Sequence, residues 1–141
     1  ELALEGPSTG RWVPEIIAEN NPDDQSYYPY MNGQFVFKNA VVRFSEAIIE
    51  GLEANGLQKE DINMLIPHQA NLRIAQFIQR KFQLSDDQVY NNIMNYGNTT
   101  AASVIIALTE AWEKGKINDG DLVVLAAFGS GFTWGSVVVR W

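Results

Sequence analysis

Leu122 to Phe128 is a run of seven apolar residues that stops at Gly129-Ser130-Gly131. It falls far short of the roughly 20 residues needed to span a bilayer. An unbroken apolar run of this length, without alternation, reads as a strand buried on both faces. Such a strand needs a covering layer on each side, and the chain supplies three helical candidates. From Phe35 to Leu52 the residues Phe37, Val41, Phe44, Ile48 and Leu52 recur at spacings of three and four, and Asn55-Gly56 closes the pattern. Asn71 to Phe82 repeats it with Leu72, Ala75, Ile78 and Phe82. A third helix, closing at Gly115, is expected to turn Val104, Ile105, Leu108, Ala111 and Trp112 inward. Between them, Ile62 to Ile66 reads as a short strand that Pro67 must end, because proline has no N–H for a sheet ladder. Val89-Tyr90 reads as another short strand. Phe132 to Trp141 reads as a last one, antiparallel to its neighbour if the glycine turn is tight. Strands alternating with helices predict an α/β fold, a mixed sheet with helices on both faces.

Composition narrows the function. The 141 residues are 46% hydrophobic and 19% charged, which is globular. Ten basic residues against 17 acidic give a net charge of −7, which argues against nucleic acid as a partner of the whole surface. There is no cysteine and a single histidine, so neither a disulfide framework nor a zinc site has its ligands, and a cytoplasmic setting is expected. The first thirty-odd residues, with Gly6-Pro7 and Asn21-Pro22-Asp23-Asp24, are loop-like, and the chain ends on Val137-Val138-Val139-Arg140-Trp141. Residues 1–34 are therefore read as a loop-rich opening segment and 35–141 as the domain. The whole is read as the C-terminal piece of something longer.

The single histidine, His68, lies in Ile66-Pro67-His68-Gln69-Ala70-Asn71, where a strand gives way to a helix. Asn98, in Tyr96-Gly97-Asn98-Thr99-Thr100, also precedes a helix. An imidazole and a carboxamide so placed can donate to one ligand oxygen and stabilise an enolate or oxyanion. With no cysteine in the chain, the nucleophile of a thioester-handling site would come from elsewhere. Plainer readings exist: a structural histidine, and Asn98 as a helix N-cap. Arg73, Arg80 and Lys81 read equally as a solvated helix face, and Trp112, Trp134 and Trp141 as core or dimer packing. Gly129 to Gly131 is too short to cradle a phosphate and suits a hairpin turn.

Pro67 to Arg73 (PHQANLR), Gly97 to Ser103 (GNTTAAS) and Phe128 to Gly135 (FGSGFTWG) together resemble the C-terminal half of β-ketoacyl-acyl-carrier-protein synthase III, a condensing enzyme of the thiolase superfamily. The likeness runs from about Met31 to the C-terminus. It implies a thiolase-like fold, in which this chain is one half of a five-layer α-β-α-β-α homodimeric enzyme. It also implies a Cys-His-Asn triad whose last two members fall on His68 and Asn98. The cysteine of the other half would take an acyl group from acyl-CoA. Malonyl-carrier protein would then lose CO2, and its enolate would attack the acyl-cysteine. By the same resemblance, the backbone N–H of Ser130, where many members carry glycine, serves an oxyanion hole. Gly33, Lys38, Gln69, Ala70, Asn71, Leu72, Arg73, Arg80 and Lys81 would meet the carrier protein or its pantetheine arm. Arg43 joins the basic residues between 38 and 81 that suggest a local patch for an acidic carrier. No cofactor is implied beyond the thioester substrates, and the isolated chain is expected to be inactive. A related condensing enzyme of secondary metabolism and a non-catalytic carrier-binding module are the alternatives.

Overall fold

The computed structural model describes residues 2–3 and 30–141. Strands β1 (Leu2–Ala3) and β2 (Tyr30–Met31) pair antiparallel, Leu2 opposite Met31, so the ends of the opening segment are tied together. The remainder of the reading for residues 1–34 lies largely outside the described residues.

Helix α1 (Gly33–Glu53) begins two residues earlier than the periodicity suggested, because Asn32 caps it by accepting the Phe35 N–H at 3.1 Å. Gly56, at φ +67°, ends it as expected. A 3₁₀ turn (Lys59–Asp61) leads to β3 (Met64–Pro67), α2 (Leu72–Phe82), the short α3 (Ile93–Tyr96) and α4 (Ala102–Glu113). Strands β4 (Leu122–Gly129) and β5 (Thr133–Arg140) complete the chain.

The main sheet runs β3-β4-β5, with β3 and β4 parallel and β4 and β5 antiparallel. It is a mixed sheet, as expected. Val89 contributes only an isolated parallel bridge to Leu65, because Tyr90 turns away after a single ladder bond, its N–H to Leu65 O at 3.0 Å. One face is covered by α1 and α2, through Phe44, Ile48, Leu52, Ile78 and Phe82 packed on Leu65, Val124 and Ala126. The other is covered by α4, where Ala107 and Ala111 meet Met64, Ile66 and Val123. Burial of Leu122 to Val124 from both sides is what the unbroken apolar run required.

Two expectations need correcting. Helix α4 turns Ser103, Ala107 and Ala111 onto the sheet and leaves Ile105 and Trp112 exposed. Small side chains let the helix axis approach closely, and Val104 to Leu108 are apolar all round, so periodicity could not choose the face. Trp112, Trp134 and Trp141 are not core residues of this chain. Trp112 and Trp141 lie against each other at the surface, 6.5 Å between ring centroids, and Trp134 lies under the Arg43 guanidinium.

Candidate active site

Three segments meet at the end of the sheet where β3 and β4 finish. Pro67 closes β3, and the ladder passes to His68, whose N–H donates to Ala126 O at 2.8 Å. That bond pins the His68 backbone at the last rung. The imidazole is half-buried, and loss of solvation holds its pKa below the ordinary 6.5. The ring is therefore neutral at pH 7. Its Nδ1 lies 2.5 Å from the Ser103 Oγ, and the same Oγ accepts the Gln69 N–H at 3.2 Å. On the far side of the ring, Nε2 is not sealed in: among the described residues, Asn91 Oδ1 is the sole buried side-chain N or O atom without a partner.

The third segment is the loop into α4. Gly97 (φ +68°) and Thr100 (φ +53°) take left-handed backbone, which folds the loop back until the Thr100 N–H donates to Asn98 Oδ1 at 2.9 Å. Asn98 is thus not the N-cap of α4; Ala101 holds that position without a side-chain bond. The Asx turn occupies the amide oxygen of an exposed side chain and leaves its Nδ2 hydrogens to donate outward. Ser103 lies five residues further, its N–H on Thr100 O, so the residue that contacts the imidazole also anchors the Asn98 loop. His68 and Asn98 come to one end of the sheet, His68 with Nδ1 against the Ser103 hydroxyl and Asn98 with its amide oxygen engaged.

Ser130 follows β4 at the same end, in the exposed turn between β4 and β5. It is not among the residues with positive φ; that conformation falls on Gly131 (φ +136°), where an added Cβ would come within 2.6 Å of Thr133 Oγ1. A serine is therefore accommodated without strain. Its carbonyl accepts the Thr133 hydroxyl at 3.0 Å.

The residues expected to meet a carrier divide into groups. Gly33, Lys38, Asn71 and Arg73 are exposed, and Ala70 and Leu72 half-buried. Asn71 caps α2 by accepting the Arg73 N–H at 2.9 Å. Arg73 and Arg80 share one stripe of α2 with Phe77, at spacings of four and three, and Phe37 of α1 packs edge-on against that ring.

Gln69 is a correction. It is 3% exposed, and its amide is fully used inside the protein. Oε1 accepts the N–H groups of Asn92 and Ile93 at 3.0 and 3.1 Å, and Nε2 donates to Pro67 O and Tyr90 O at 2.7 and 3.4 Å. Its side chain has nothing left for a pantetheine arm. Lys81, in the last turn of α2 with Arg80, lines a groove with Glu53, Lys59 and Glu60. Arg43 is occupied on the β5 side, bonded to Glu46 at 2.8 Å and lying over Trp134. The basic stretch is thus no single patch, since successive residues on a helix face different ways.

Sequence reasoning missed Ser103, Asn92 and Glu110. Asn92 is buried, and its Nδ2 donates to Glu110 Oε2 at 2.7 Å, while Lys114 bonds the other carboxylate oxygen. The Lys114 bond, aided by Asn92, lowers the Glu110 pKa. This brace lies directly behind the Gln69 clasp. The available signal was a polar residue, Ser103, at spacing four from Ala107 and eight from Ala111 on a helix with few other polar positions.

A mixed sheet covered by helices on both faces, with His68 where β3 ends, is the layering of one half of a thiolase-like fold. Residues 52–141 match the C-terminal family of 3-oxoacyl-[acyl-carrier-protein] synthase III, and the chain belongs to that family. It is 54% identical over 112 residues to the β-ketoacyl-[acyl-carrier-protein] synthase III of Caldanaerobacter subterraneus subsp. tengcongensis, covering 79% of this chain and 34% of that protein. With the Geobacillus kaustophilus synthase III the identity is 46% over 114 residues, 81% of this chain and 37% of the relative. The crystal structure of 3-oxoacyl-[acyl-carrier-protein] synthase III from Aquifex aeolicus superposes with a TM-score of 0.79 at 43% identity, over 84% of this chain and 38% of that one. The chain spans little more than a third of the length of these relatives.

Proposed function

We propose that this chain is the half of a synthase III that binds the malonyl thioester oxygen, acting with an N-terminal half that carries the nucleophilic cysteine. The observation that supports this reading is that His68 Nδ1 and Asn98 Oδ1 are both engaged within the protein, at one end of the sheet. In decarboxylation the malonyl C–C bond breaks, CO2 leaves, and its electron pair moves onto the thioester oxygen as the enolate forms. His68 Nε2–H and Asn98 Nδ2–H donate to that oxygen. Fixed neutral donors suit a charge that appears only along the reaction, and such arrangements supply the largest share of many rate enhancements. The enolate carbon then attacks the acyl-cysteine carbonyl; a C–C bond forms and the thiolate leaves, giving a 3-oxoacyl-carrier product for fatty acid biosynthesis. The Arg73-Phe77-Arg80 stripe, with Lys38, would receive the acidic carrier protein. The complete protein would be a cytoplasmic homodimer that needs no cofactor beyond its thioester substrates.

The isolated 141 residues hold no thiol and are expected to be inactive in condensation. The test is a chimera in which residues 52–141 replace the matching part of the Caldanaerobacter relative, assayed for 3-oxoacyl product from acyl-CoA and malonyl-carrier protein. Product from the chimera and none from the 141-residue chain is expected. A folded chimera without activity, or condensation by the chain alone, would contradict the reading.

A further inference from the structure

The Ser103 hydroxyl is 1% exposed and touches two nitrogens of different character. The Gln69 peptide nitrogen can only donate, so one Oγ lone pair is taken by its hydrogen. The hydroxyl hydrogen then needs an acceptor. Among the described residues, the one within reach is His68 Nδ1, at 2.5 Å. If Nδ1 carried the proton instead, the hydroxyl hydrogen would have no partner in a site closed to water, which buried hydroxyls avoid.

We infer that Ser103 is a positioning residue: it donates to His68 Nδ1 and thereby keeps the ring proton on Nε2, the nitrogen left open at the sheet end. The inference rests on the proposed role of His68 only for its catalytic consequence, since the tautomer can be read without turnover. Gln69 completes the device, because its backbone N–H orients the hydroxyl while its side chain ties the His68 loop to Asn92 and Ile93. One serine on α4 thus sets which hydrogen an imidazole 35 residues earlier can offer.

His68 is the sole histidine, so long-range ¹H–¹⁵N spectra of the 141-residue chain contain a single imidazole. At pH 8, unprotonated Nδ1 and protonated Nε2 are expected. Ser103→Ala should shift the Nδ1 resonance and broaden both signals as the tautomers exchange, whereas Ser103→Thr, which keeps the hydroxyl, should restore the wild-type pattern. In the chimera, Ser103→Ala should lower kcat for malonyl-carrier decarboxylation by at least about tenfold with KM within about twofold, and Ser103→Thr should recover most of it. A protonated Nδ1 in the wild type, or a Ser103→Ala chimera with unchanged kcat, would overturn the inference. Failure of the chimera with Ser103 intact would instead count against the proposed function, so the two are told apart.

Discussion

His68 owes its neutrality to position: the ladder bond to Ala126 draws it half into the protein, and burial disfavours the imidazolium. The folded-state pKa lies below the unfolded 6.5, so as pH falls the unfolded chain takes up the proton first. Stability contributed by this residue is complete above 6.5 and is lost as pH drops through the folded pKa. NMR titration of this single imidazole should give a midpoint below 6.5; a midpoint at or above it would mean that the ring is solvated. Gln69 makes a different prediction. Gln69→Ala leaves two backbone N–H groups and two carbonyls without their partner, and should cost about 2–4 kcal/mol in urea denaturation. That His68 and the Asn98 loop lie at one end of the sheet was legible, because each stood where a helix was expected to open. Ser103 was not: a serine near a helix start is commonplace, and its partner is 35 residues away in sequence.

Among the elements, those with a clear period were legible and those set by packing were not. Helices α1 and α2 appeared where apolar spacing placed them, to within two residues. The face of α4 was legible only in part: Val104, Leu108 and Ala111 pack inward as expected, but Ile105 and Trp112 do not, since small residues mark the side of closest approach only once the sheet is there. Helix α1 shows the same close approach. At Gly51 an added Cβ would come within 2.5 Å of Ser136 Oγ, whose hydroxyl donates to Ala47 O at 2.6 Å. Gly51→Ala should therefore destabilise by about 1–3 kcal/mol despite the better helix propensity of alanine, whereas Gly33→Ala, with open space around it, should not. On α2, reversing both Arg73 and Arg80 to glutamate should raise the KM for malonyl-carrier protein in the chimera by about tenfold at low salt, and less at high salt. An equal effect on a malonyl thioester without the carrier would place the arginines elsewhere in the chemistry.

At the scale of the molecule, a site assembled from strand ends and a helix start is complete on one side only. On the proposed reading the fold supplies donors for an oxygen, and the composition supplies no thiol to carry an acyl group. Thiolase-like layering was legible because the Leu122 to Phe128 run demanded cover on two faces, and the three motifs fell in order along the chain. The groove that Lys81 lines with Glu53, Lys59 and Glu60 was not legible, because it joins side chains from three separate elements. Decarboxylation of a malonyl thioester, measured in the chimera apart from condensation, isolates the donor pair from the nucleophile. His68→Ala and Asn98→Ala should each slow it by about 10²- to 10³-fold, with the double variant little worse than either, as two donors to one oxygen require. Wild-type decarboxylation rates in folded single variants would contradict the account.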